Sequence, residues 1–214
     1  MKILGLLSCG RSGADLFQSL LDGHDEILQF PGYVLFNKQL LKIFSLHNKK
    51  ILAEEFCKVY PHFFDSRINK DERHDQLGKK KNQYFLVDKK KFVKIFEKAI
   101  FDKTNKVKIF INLNKAYYLA SNRSIQKVKI CLIHFHLFFN LINFLKNISK
   151  KEKITIIMTL RDLLASIGST CYKWSKFRSD ALDAQTLYLN IVGHIKQIFR
   201  LKKLGKKIYV IQME

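Results

Sequence analysis

Proline is nearly missing from this 214-residue chain, with two residues against nine glycines and 18 phenylalanines. That scarcity, with 47% hydrophobic and 13% aromatic residues, excludes a proline-rich or low-complexity polymer and favours a chain that buries a core. Acidic residues are also few, 18 against 39 basic ones, for a net charge of +21. Such a surplus suits a nucleic acid or a membrane surface. The lysines recur between apolar stripes, however, in "NKKILAEE", "KKKNQ", "DKKKF" and "KNISKKEK". They read as solvated faces rather than one basic tail, and no specific nucleic-acid partner is expected.

Four cysteines, Cys9, Cys57, Cys131 and Cys171, form no C-x-x-C pair. That spacing argues against a zinc module or a disulfide framework and predicts buried, reduced thiols. His24, His47, His62, His74 and His194 share no ligand spacing, so no metal is expected. The longest apolar run, "ICLIHFHLFFNLINFL", is broken by His134, His136 and two asparagines, short of the ~20 residues that span a bilayer. The opening "MKILGLLSCG" has one lysine and an apolar stretch shorter than the ~7–15 residues of a signal peptide. It reads as a buried strand, and the chain as cytoplasmic.

What is present is an alternation of strands and helices within the length of one domain, 1–214. "KILGLLS" is a continuous apolar run that suits a strand buried on both faces. Ala14 to Asp22 follows as a helix, with Leu16, Phe17, Leu20 and Leu21 at helical spacing and Gly23 as its stop. "EILQFPG" predicts a second strand. A helical insertion spans about 34–122, interrupted by the charged loop "DSRINKDERHDQLGKKKNQ" and including a helix opened by Asp88, with Phe92, Ile95, Phe96 and Ile100 on one face. "VKIFINL" competes as a strand inside it. "VKICLIHFH", "ITIIMTLRD" and "KKIYVIQME" predict three more strands. The sum is an α/β three-layer sandwich with a mostly parallel central sheet, of the P-loop nucleotide-hydrolase kind. Ligands of such sheets bind beyond the carboxyl ends of the strands. Three ends here carry chemically capable residues: Cys9 to Ser12, His134 to His136, and Arg161-Asp162.

The small, positively charged loop "CGRSGAD" after the first strand predicts an anion site, with loop N–H groups and the Arg11 fork as donors. "GRSGADLFQSLLDGHDEI" resembles the R-S-G-T-x-L-x-x-L-L-x-x-H-P-x-I signature of sulfotransferases that use 3′-phosphoadenosine 5′-phosphosulfate (PAPS). "TLRDLLASIGSTCYKW" is similar to that family's second motif, R-D-P-x-x-x-x-x-S, which grips the donor's 3′-phosphate. "IHFHL" resembles its K-T-H-L segment, with His136 in the place of the catalytic histidine and His134 in that of the lysine.

The resemblance implies an enzyme that moves a sulfuryl group from PAPS to a hydroxyl on a carbohydrate or small metabolite, without a metal. Gly10, Arg11, Ser12, Gly13, Ala14 and Asp15 would hold the phosphosulfate, Arg161 and Ser169 the 3′-phosphate, and Arg11 would also stabilise the transferring group. Ser166, on the same helix as Ser169, stays an alternative to it. Alternation on a strand puts residues 134 and 136 on one side, and either is open as the base.

Ala14 and Asp15 depart from the family's threonines, and Asp15 either caps the helix or holds Arg11. Trp174, Tyr172 and Phe177 read as core. The family usually continues past a strand like "IYVIQME", so the chain is expected to lack a C-terminal part. Two other readings remain. Gly5 to Ser12 spells G-x-x-x-x-G-R-S, a Walker A pattern with arginine for lysine, which would make an ATP-dependent kinase. The charge alone would make a non-catalytic polyanion binder.

Overall fold

The computed structural model describes residues 1–8, 12–68, 79–102, 105–136, 138–147, 153–162, 164–168, 172, 196, 199–203 and 207–213. Five strands form one sheet: β1 (Lys2–Ser8), β2 (Ile27–Leu28), β3 (Ile130–Phe135), β4 (Ile154–Arg161) and β5 (Lys207–Met213). Their order is β2-β3-β1-β4-β5, and every pairing is parallel. The second strand is only two residues long, because the chain leaves the sheet at Gln29 instead of continuing to the Pro31-Gly32 turn.

Alternation divides the apolar strand residues between two faces. Ile3 and Leu7 of β1, with Cys131, Ile133 and Phe135 of β3, enter the larger core cluster with side chains of the helices that follow β2 and β3. Leu6 and Leu132 point the other way, where Ala14 and Phe17 of α1 (Ala14–Leu20) cover them. The continuous apolar run of β1 thus reflects burial on both faces. Gly5 lies inside that run because an added Cβ would come within 3.1 Å of the Phe135 ring.

The block between β2 and β3 holds α2 (Lys38–Phe44), α3 (Lys49–Val59), a 3-10 turn at Pro61–Phe63, α4 (Lys89–Lys98) and α5 (Lys106–Ala120). "VKIFINL" is helical, inside α5. Side chains open these helices: Asn37, Asn48, Asp88 and Asn105 each accept bonds from backbone N–H groups of the first turn. Phe36 joins the block to the sheet, its ring 5.3 Å from Phe110 of α5, 5.7 Å from Phe135 and 4.9 Å from Phe144 of α6 (Phe138–Asn147). Cys57 and Cys131 are buried and free, and burial pushes both thiols up to about 12. Cys9 and Cys171 lie outside the described residues.

Three expectations about faces fail. Leu16 and Leu20 are 57% and 73% exposed, because Ala14, Phe17, Gln18 and Leu21 face inward instead. Ile100 is fully exposed, since α4 ends at Lys98 and an extended Ala99 turns the chain away. Tyr172 is exposed rather than core, and Trp174 and Phe177 lie outside the described residues. Among the described residues, no helix is long and apolar enough to cross a membrane.

Candidate functional site

The sheet order sets the site. β1 connects towards β2 on one side while β4 lies on its other side, so the strand order reverses at the carboxyl edge beside β1. Leu7 pairs with Phe135 and Ser8 with Thr159, so β3, β1 and β4 end nearly level. The segments that follow them share one edge.

At the first end, Gly10 and Arg11 lie outside the described residues. Ser12 is buried, its hydroxyl 2.7 Å from that of Thr159, which ties the returning loop to β4. Gly13 caps α1 with a left-handed backbone, φ 80° and ψ 15°. A Cβ there would also sit 3.2 Å from Met213 of β5, so conformation and space both call for glycine. Ala14 is buried against Leu6 and Leu132, which leaves no room for a polar contact by its methyl.

Asp15 does not cap α1, whose cap position makes no side-chain hydrogen bond. Its exposed carboxylate faces His134 instead, 3.7 Å from Nδ1. The Walker A frame needs Gly5 in the loop, and Gly5 is inside β1, registered with Ile133 and Ile156.

At the second end the two histidines differ. His134 is 2% exposed, and its Nδ1 is 2.7 Å from Gln18 Oε1. Gln18 Nε2 donates to the Phe30 carbonyl at 2.7 Å, which fixes the amide so that its oxygen meets the imidazole. An oxygen only accepts, so Nδ1 carries the proton and Nε2 is bare. That Nε2 is buried with no hydrogen-bond partner among the described residues. Burial lowers the His134 pKa to about 4, against the attraction of Asp15 and with a smaller push from His136, so the ring is neutral near pH 7.

His136, just past the strand, is half-buried and stacks on Tyr33, ring centroids 4.5 Å apart and planes 26° apart. The two rings differ in exposure: His134 is buried, and His136 is half-buried with its Nδ1 enclosed.

At the third end Arg161 is exposed and makes no ion pair among the described residues. Its neighbour Asp162 accepts from the Ala165 N–H at 2.9 Å and so starts the helical segment 164–168. Ser166 lies on this segment, half-buried, and its N–H donates to the Asp162 carbonyl at 2.9 Å. Ser169 lies outside the described residues.

Sequence reading missed Gln18, Tyr33 and Thr159. Gln18 was a polar residue on the inner face of an apolar helix. Tyr33 followed a Pro-Gly pair beside the strand that carries both histidines. Thr159 is the register partner of Ser8, which only the sheet order reveals. Among the described residues no cluster of three or more His, Cys, Asp or Glu is placed to hold a metal. No family model, curated protein or solved structure matches the chain.

Proposed function

We propose that the chain is a sulfotransferase that moves a sulfuryl group from PAPS to a hydroxyl acceptor. One observation supports the reading: β3, β1 and β4 are neighbours in the sheet, so the strands that lead into the histidine segment, the R-S-G loop and the R-D segment end on one carboxyl edge. The fit of the donor rests on Arg161, an exposed guanidinium whose acidic neighbour is engaged in a helix cap. The fold reading follows from the same resemblance, a P-loop-like nucleotide-binding sheet.

PAPS, when bound, supplies the activated sulfuryl group. Arg161, with Ser169 or Ser166, holds its 3′-phosphate through charge-assisted bonds. The loop from Gly10 to Asp15 holds the other phosphate, with Arg11 opposing the negative charge that develops as the sulfur is transferred. His136 takes the proton from the acceptor hydroxyl as its oxygen bonds to sulfur. The bond from sulfur to the phosphate oxygen breaks, and adenosine 3′,5′-bisphosphate leaves.

Calorimetric titration with adenosine 3′,5′-bisphosphate in EDTA tests the reading. Binding is expected without metal, and Arg161→Ala is expected to weaken it by about 10-fold or more, the loss of one charged hydrogen bond. A folded protein with no affinity for the bisphosphate overturns it. Magnesium-dependent ATP binding in its place would point to a kinase.

A further inference from the structure

We propose that Tyr33 is a positioning residue for His136, holding its imidazole flat against a phenol face so that the ring meets an acceptor hydroxyl in one orientation. The inference rests on the role given to His136 above and names a residue that none of the motifs contains.

The placement begins with the backbone. β2 pairs with β3 through Ile27 and Leu28, and the chain leaving β2 stays beside its neighbour. The Val34 N–H donates to the His134 carbonyl at 3.1 Å, which pins the segment after Pro31-Gly32 alongside the end of β3. Tyr33 is thereby carried next to residues 134 and 136.

Its ring stacks on His136 and meets His134 edge-on, at 6.0 Å and 79°. His134 and His136 complete the group, 6.2 Å apart at 60°. Three rings therefore close on one another.

The back of this group is rigid. His134 is held by Gln18, Gln18 by the Phe30 carbonyl, and the Gln18 carbonyl accepts from Gln29 Nε2 at 3.1 Å. His136 stands just past the end of the strand, half-buried. Small misplacements of a base slow transfer strongly. The stacked phenol sets the plane of the ring, and its face also favours the imidazolium that forms when the proton is taken.

The experiment compares Tyr33→Phe and Tyr33→Leu in the full chain by three readouts. These are hydrolysis of PAPS with water as acceptor, bisphosphate affinity, and diethyl pyrocarbonate modification of His136 followed on its peptide. Tyr33→Phe keeps the stacked ring and is expected to stay closer to the parent than Tyr33→Leu in hydrolysis and in modification of His136. Tyr33→Leu is expected to slow hydrolysis by about 10-fold or more and to speed modification of His136, with bisphosphate affinity within about twofold.

Unchanged hydrolysis and unchanged modification in Tyr33→Leu would overturn the proposal. So would Tyr33→Phe being as damaging as Tyr33→Leu. A parent that neither binds bisphosphate nor hydrolyses PAPS removes the sulfotransferase reading, and the modification rates then decide the stacking role alone. Where Tyr33→Leu does not fold, a ring-to-ring nuclear Overhauser effect between Tyr33 and His136 in the parent decides it, and its absence refutes the stack.

Discussion

His134 occupies a place with one acceptor for two nitrogens. Its Nδ1–H is satisfied by Gln18, so a second proton would land on Nε2, which has no hydrogen-bond partner among the described residues. Burial, opposed by the Asp15 carboxylate, holds the folded-state pKa at about 4, below the 6.5 of a free imidazole. The unfolded chain therefore takes up the proton first as the pH drops. The stabilisation is complete above about pH 6.5 and is lost as the pH falls through 4, an effect of about 3 kcal/mol for a ring this deeply buried. Glu26 and Asp65 are held below the usual carboxylate range by hydrogen bonds from Lys129 and Arg67, so their contributions are lost at lower pH than most of this one. Urea unfolding at pH 7.5 and pH 4.5 is expected to show the loss in the parent and a much smaller one in His134→Gln. Equal losses in both proteins would assign the acid sensitivity to other groups.

Elements show why some of the molecule was legible and some was not. Helices and strands announced themselves through apolar spacing, and a fully buried strand such as β1 did so even without alternation. Faces were harder. Leu16, Phe17, Leu20 and Leu21 look like a core stripe, yet Leu16 and Leu20 of α1 are exposed and its inward positions include Gln18, whose partners lie on other elements. Helix starts were half-read: Asp88 stood out and a helix from Asn105 was expected, whereas Asn37 and Asn48 were lost in an asparagine-rich composition. The residues proposed for the site, the R-S-G and R-D segments and both histidines, come from the sequence, while the surroundings of the histidines come from the fold. Which histidine is enclosed depended on a glutamine 116 residues away along the chain.

Asp162 carries a prediction at this scale. Asparagine caps a helix as well as aspartate does, while alanine loses the bond to the Ala165 N–H and costs about 1 kcal/mol of helix stability. Asp162→Asn also removes a negative charge beside Arg161. The bisphosphate is therefore expected to bind Asp162→Asn at least as tightly as the parent and Asp162→Ala more weakly than Asp162→Asn. Equal affinity in the two variants, by calorimetry, would show that the cap does not set the Arg161 end of the site.

Across the whole molecule the surplus of charge outweighs its pairing. The ion pairs among the described residues that join Lys or Arg to Asp or Glu are surface pairs, such as Lys58–Glu55, Arg123–Asp22 and Lys127–Asp25. Each such pair is worth little, ~0–1 kcal/mol, so they do not offset the mutual repulsion of a +21 chain. Salt screens that repulsion, shortening its range from ~30 Å at 0.01 M to ~8 Å at 0.15 M. Raising sodium chloride over this interval is expected to raise the urea midpoint, the reverse of what a fold held by surface ion pairs would show. The same titration separates a built site from a diffuse basic surface. Polyanion binding by scattered lysines loses affinity with a steep log–log slope as counterions are no longer released to dilute solution. A bisphosphate gripped by Arg161 and the R-S-G loop meets fixed donors at short range, where screening acts less, so its slope is expected to be shallower than that of heparin measured in the same buffers. Matching slopes, with Arg161→Ala binding as the parent does, would mean that charge density alone holds the ligand and that the carboxyl edge of the sheet is not its site.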